Sequence, residues 1–219
     1  MPRSKFARYG EIAFDAAYLC TAVVLGCIFL LFAKTPQAYL YGIMTLTLVA
    51  GDTCHLVPRV RAALAENPRK FTALLGCGKF AASVGMTLFY VLLWHIGLLI
   101  YAVEGAALWT TAVYALAAMR IALCLLPQNR WREGDAPNKW NILRNIPFTL
   151  LGATVCGLFF AYKGVQPAGL SWMWLAVLLS FLFYLPVVLF AHKRPALGML
   201  MLPKSCAYVW IIAMGLSLL

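Results

Sequence analysis

Residues 71–97, FTALLGCGKFAASVGMTLFYVLLWHIG, run for 27 positions with one lysine, Lys79, one histidine, His95, no acid and no proline. About 20 apolar residues suffice to cross the hydrocarbon of a bilayer, so this stretch reads as a transmembrane helix rather than a core helix of a soluble protein. Lys79 stands out within it. A charged side chain at a helix centre costs on the order of 2.5 to 3.5 kcal/mol on insertion scales, and such groups usually face a cavity or a partner.

The rest of the chain repeats the pattern. Its 219 residues are 63% hydrophobic and 11% charged, with mean hydropathy +0.84, against an apolar share of ~45 to 50% in soluble domains. Spans fall at roughly 12–33, 38–57, 71–97, 106–128, 141–162, 170–191 and 197–218. The fold class is therefore all-α: a polytopic membrane protein of about seven transmembrane helices in one bundle, with residues 1–219 forming a single transmembrane domain. The loop between Arg59 and Lys70, with Pro68 near its end, reads as a place for a short interfacial helix.

The net charge of +11 resembles a nucleic-acid footprint until the basic residues are placed. Arg3, Lys5 and Arg8, then Arg59, Arg61, Arg69 and Lys70, then Arg130, Arg132 and Lys139, then Lys193 and Arg194 fall on one side of the spans; Lys34, Glu104 and Lys163 fall on the other. This is the positive-inside distribution. It predicts a cytoplasmic amino terminus, an external carboxyl terminus, residence in a bacterial cytoplasmic membrane and no nucleic-acid partner. The seven cysteines show no C-x-x-C spacing and read as small buried hydrophobes.

Depth organises the remaining polar residues. Asp15, Asp52, His55, Lys79, Arg120, Arg144, Asn145 and Lys204 all fall roughly 5 to 12 Å below the basic interface. Cations outnumber carboxylates in this layer, so an anion is its natural partner, and a lipid phosphate entering from the inner leaflet lies at the right depth. The apolar outer half above it is suited to an alkyl chain. Other readings stay open: Arg144, Lys79, Arg120 and Lys204 snorkel to the interface, Asp15 compensates the start of the first span beside Glu11, and Asp52 pairs with Lys79, Arg120 or Lys204.

Gly51-Asp52, Leu56-Val57-Pro58-Arg59, Leu75-Gly76-Cys77-Gly78-Lys79-Phe80 and Phe89-Tyr90, with the closing run Lys204-Ser205-Cys206-Ala207-Tyr208-Val209-Trp210, resemble the YhhN family of lysoplasmalogenase-like membrane proteins, mainly across spans two and three. The resemblance implies a membrane-embedded hydrolase of single-chain phospholipids that needs no cofactor. Only Asp52 carries over from the family residue by residue; for a hydrolase, the polar layer then assigns Asp52 and His55 as catalytic and Lys79, Arg120, Lys204, Asp15, Arg144, Asn145 and Tyr208 as substrate-binding. The chain departs from the family pattern at Val84, where a histidine is usual, and at Leu178–Phe183, which has no acid. The family also commonly has about eight spans.

Different classes compete with the hydrolase. A transporter or lipid-binding protein uses the same cationic pocket without chemistry, with Pro127, Pro147, Pro186 and Pro203 supplying helix breaks. A retinal protein would use Lys204 with Asp52 as counterion, and a zinc-dependent lipid hydrolase would draw on Asp52, His55 and His192.

Overall fold

The computed structural model describes residues 5–133, 137–165 and 167–219, so Arg3 lies outside the described residues. Among them all regular structure is helical, and seven helices are long and apolar enough to cross a membrane. Their α-helical parts are α1 (Lys5–Phe32), α2 (Pro36–Leu64), α3 (Thr72–Tyr101), α4 (Ala107–Leu125), α5 (Asn138–Ala161), α6 (Met173–Phe190) and α7 (Met201–Met214), the last reaching spanning length, Ala196–Leu218, with the 3-10 turns at its ends. Each packs on its neighbour in sequence, α7 closes back onto α1 and α6, and α3 reaches across to α5. Leu31, Leu108, Trp172 and Leu182 are among many large apolar side chains left on the outside, the arrangement lipid contact favours over water.

Local chemistry sets the helix ends. The hydroxyl of Thr35 accepts from the Ala38 amide at 3.2 Å and Pro36 opens α2, a side-chain cap followed by a residue that needs no amide partner. Helix α4 stops at Leu125, short of the expected 128, because Leu126 precedes Pro127 and adopts extended backbone. The prolines otherwise interrupt less than the sequence suggests. Pro147 and Pro186 lie inside continuous helices, Pro203 sits in the first turn of α7, and Pro127 opens a short 3-10 turn.

Where a separate interfacial helix is expected after Arg59, α2 instead runs unbroken through Pro58 to Leu64. Pro58 removes one helical hydrogen bond, to the carbonyl of Cys54. Gly78 of α3 packs directly on that carbonyl: a Cβ built on Gly78 would come within 2.1 Å of it. Further along, Gly51 and Gly85 face each other, with a Cβ on Gly85 only 3.2 Å from the Gly51 Cα. Small residues thus bring the α2 and α3 backbones together, as they do between helices in membranes generally, and set Asp52 and His55 beside the helix that carries Lys79. The Arg59 side chain holds the extension by pairing with Glu11 of α1 and, at 3.7 Å, with Asp15.

Candidate functional site

A cavity of about 420 Å³ lies at the end of the bundle where the basic links gather. Helix α2 contributes Asp52 and His55, α3 contributes Lys79, Ser83 and Met86, and α4 contributes Arg120. Asn141 and Arg144 come from α5, Tyr184 and His192 from the α6 side, and Lys204 from α7. The wall carries five cations, Lys79, Arg120, Arg130, Arg144 and Lys204, against one carboxylate, Asp52.

Asp52 touches none of those cations, although the Lys204 charge is near enough to act on it. Its Oδ2 accepts a 2.6 Å hydrogen bond from the hydroxyl of Tyr18 on α1, and no salt bridge to Lys79, Arg120 or Lys204 forms among the described residues. The contact ion pair that the sequence allows does not form among the described residues, and what remains is a longer-range attraction to Lys204. Asp15 stands behind the wall, buried and engaged by Arg59. His55 is half-buried one turn after Asp52, and its Nδ1 has no hydrogen-bond partner among the described residues.

Arg120 is the least satisfied charge. It is 1% exposed, and of its five N–H donors one nitrogen reaches Asn145 Oδ1 at 3.2 Å while Nε has no partner. Its guanidinium lies over the Phe148 ring at 3.5 Å. Lys204, also buried, has the Met86 thioether at 3.6 Å and the rings of Tyr208 and Tyr184 at 4.7 and 5.0 Å. A thioether is a weak acceptor and a ring face a modest partner. Neither cation makes a salt bridge among the described residues; Asp52 attracts Lys204 from across the same wall, whereas Arg120 has no carboxylate in contact. Lys79 is exposed there, so the snorkelling alternative fits Lys79 better than Arg120 or Lys204.

Arg144 has a different part. It donates to Asn129 Oδ1 at 2.7 Å and Asn141 Oδ1 at 2.8 Å, and stacks on Trp131 at 4.3 Å. Asn129 in turn caps the end of α4, donating to the carbonyls of Leu123, Cys124 and Leu126. The Trp131 backbone fits against Gly76, where a Cβ would meet the Trp131 carbonyl oxygen at 1.4 Å. Arg144 therefore holds Asn129 and Trp131 of the link after α4 against the cavity wall, while Arg130 and Arg132 stay exposed. Asn145 joins helices: it accepts from Arg120 and, at 2.6 Å, from Tyr184.

Above the cavity an interlocking set of rings, Tyr90, Phe148, Phe181, Tyr184 and Tyr208, fills the bundle axis. Phe89, Tyr90, Phe148, Leu151 and Val155 are fully buried just beyond. The expected apolar chamber along the axis is thus occupied by side chains, and Tyr208 belongs to this ceiling. Tyr18, Asn129, Trp131 and Tyr184 are contributors that sequence reading misses, since a lone Tyr or Asn in an apolar or loop stretch carries no signal of its tertiary partner. Asp52, His55 and His192 share the wall, yet no three His, Cys, Asp or Glu side chains among the described residues are grouped as a metal site requires.

No family model, curated protein or solved structure matches the chain. Fold and site together define an integral membrane protein with a cation-lined cavity at its basic end.

Proposed function

We propose that the cavity binds the phosphate of a single-chain phospholipid and that the protein hydrolyses a lysoplasmalogen-like member of that class. The observation that carries this reading is Arg120, a buried guanidinium facing a cavity with no carboxylate partner among the described residues. Leaving such a charge uncompensated is costly. A phosphate, able to accept from a guanidinium and two ammonium groups together, balances it better than a neutral ligand. The basic end then faces the cytoplasm of a bacterial inner membrane, where the inner-leaflet headgroups lie.

Hydrolysis of a vinyl ether adds one water across the double bond. A proton goes to the β-carbon, water adds to the resulting cation, and the hemiacetal separates into a fatty aldehyde and the chain-free glycerophosphodiester. Asp52 serves as general acid and regains its proton from the water, with His55 as second proton carrier and Lys79, Arg120 and Lys204 on the phosphate. Tyr18 fixes the carboxylate on the α1 side.

The test is aldehyde release from an alkenyl lysophosphatidylethanolamine by purified protein. Turnover in the unmodified protein and none in a folded Asp52→Asn variant is expected; equal turnover in both overturns the mechanism. A second reading, binding or transport without chemistry, draws on the single carboxylate of the cavity wall, because two acids suit this reaction better than one. Substrate counterflow in vesicles with no aldehyde formed would select it.

A further inference from the structure

The aromatic ceiling leaves no path along the bundle axis for the alkyl chain of such a ligand, and the structure offers another. On the outer face of α5 and α6 lies a groove of about 220 Å³, walled by Ile146 and Leu150 of α5 and Leu185, Val188 and Leu189 of α6. Its lining is aliphatic apart from Asn145 and Thr149. Ile146, Leu150 and Leu189 are open to the lipid side.

The groove and the basic cavity are back to back. Val188 lines both. Asn145 lines the groove while its Oδ1 accepts from Arg120, which lines the cavity. Beside the groove two polar bridges link α5 and α6, Tyr184 to Asn145 at 2.6 Å and Asn141 Nδ2 to the Val188 carbonyl at 3.2 Å; Cys156 to the Trp174 carbonyl joins the same helices at their far end. Pro186 lies between these bridges on α6, and Pro147 lies two residues past Asn145 on α5. Each removes a helical hydrogen bond and lowers the cost of local bending. From Ile142 to Leu150 the groove follows α5 for about 12 Å, away from the basic end, the direction an inner-leaflet chain takes from its headgroup.

We propose that the α5–α6 seam is the lateral access route to the basic cavity and that the aliphatic groove seats the alkyl chain of the ligand whose phosphate Arg120 and Lys204 hold. The assignment rests on the phosphate-binding reading of the cavity. A single chain is the fitting occupant, because the groove is one strip between two helices, continuous with one basic cavity.

The experiment uses the full chain in phosphatidylcholine nanodiscs with a lysophosphatidylethanolamine that carries a photoactivatable diazirine in its alkyl chain; adducts are mapped by mass spectrometry. Adducts concentrated on Ile146, Leu150, Leu185 and Leu189 are expected, falling about tenfold with excess unlabelled lysophospholipid and in the Arg120→Gln variant. They should fall likewise in Leu150→Trp, which fills the groove, and persist in Leu182→Trp, which adds the same ring at a lipid-facing site elsewhere on α6. Adducts that are competed and Arg120-dependent but map to other helices would overturn the groove while leaving the cavity reading intact. Uniform adducts on all lipid-facing helices, unaffected by competitor, mean annular lipid only and would remove both.

Discussion

Tyr18 on α1 donates its hydroxyl to Oδ2 of Asp52 on α2 at 2.6 Å, so the carboxylate of the cavity is oriented from behind by a group that does not line it. Such a bond contributes on the order of 0.5 to 1.5 kcal/mol when made to a protonated carboxyl and about 1.5 to 3 kcal/mol when made to an ionised one. Tyr18→Phe keeps the ring and its packing and removes only this bond. The expected result is a lower melting temperature and a fall in kcat for aldehyde release with KM little changed, since the phosphate contacts are untouched. Unchanged kcat would show that Tyr18 has a packing role alone.

Arg120 allows stability and function to be separated. Keeping a single charge buried costs several kcal/mol of desolvation, against which Arg120 has one hydrogen bond to Asn145 and one ring face. Arg120→Met is therefore expected to raise the melting temperature of ligand-free protein in detergent while abolishing lysophospholipid binding. A variant that is destabilised and still binds would contradict the role given to this guanidinium.

The α2–α3 contact is equally open to test. A side chain at Gly78 meets the Cys54 carbonyl, whereas one at Gly157 meets nothing within 4 Å. Gly78→Val should cost on the order of 1 to 3 kcal/mol, the usual range for overpacking, or prevent accumulation of folded protein. Gly157→Ala should be neutral or slightly stabilising. Thermal denaturation of the two variants side by side decides.

Membrane sidedness follows from the charge of the links. A reporter that is active only in the cytoplasm should be active at the amino terminus and silent at the carboxyl terminus. The reverse would place the cavity on the outer face and its ligand in the outer leaflet.

Much of this architecture is legible in the sequence because the bilayer imposes one simple requirement, a long apolar helix, and seven stretches meet it. The polar layer is legible for the same reason: Asp52, Lys79, Arg120 and Lys204 are costly in hydrocarbon wherever they point. Their partners are not. Nothing in the spacing says that Asp52 turns to Tyr18 rather than to a cation, or that Arg144 spends its donors on Asn129 and Asn141. The link after α4 looks like an ordinary solvated basic loop until Gly76 is seen to leave room for the Trp131 backbone. The apolar half looks suited to a lipid chain because composition cannot distinguish a lined chamber from a filled core, and here aromatic rings fill it.

The central claim is that a phosphate-bearing single-chain lipid belongs in the cavity, and native mass spectrometry of gently solubilised protein tests it most directly. The unmodified chain is expected to retain one such lipid, which the Arg120→Gln and Lys204→Gln variants, folded to the same extent, release. Identical lipid retention by all three proteins, or retention of two-chain lipids only, would contradict the account.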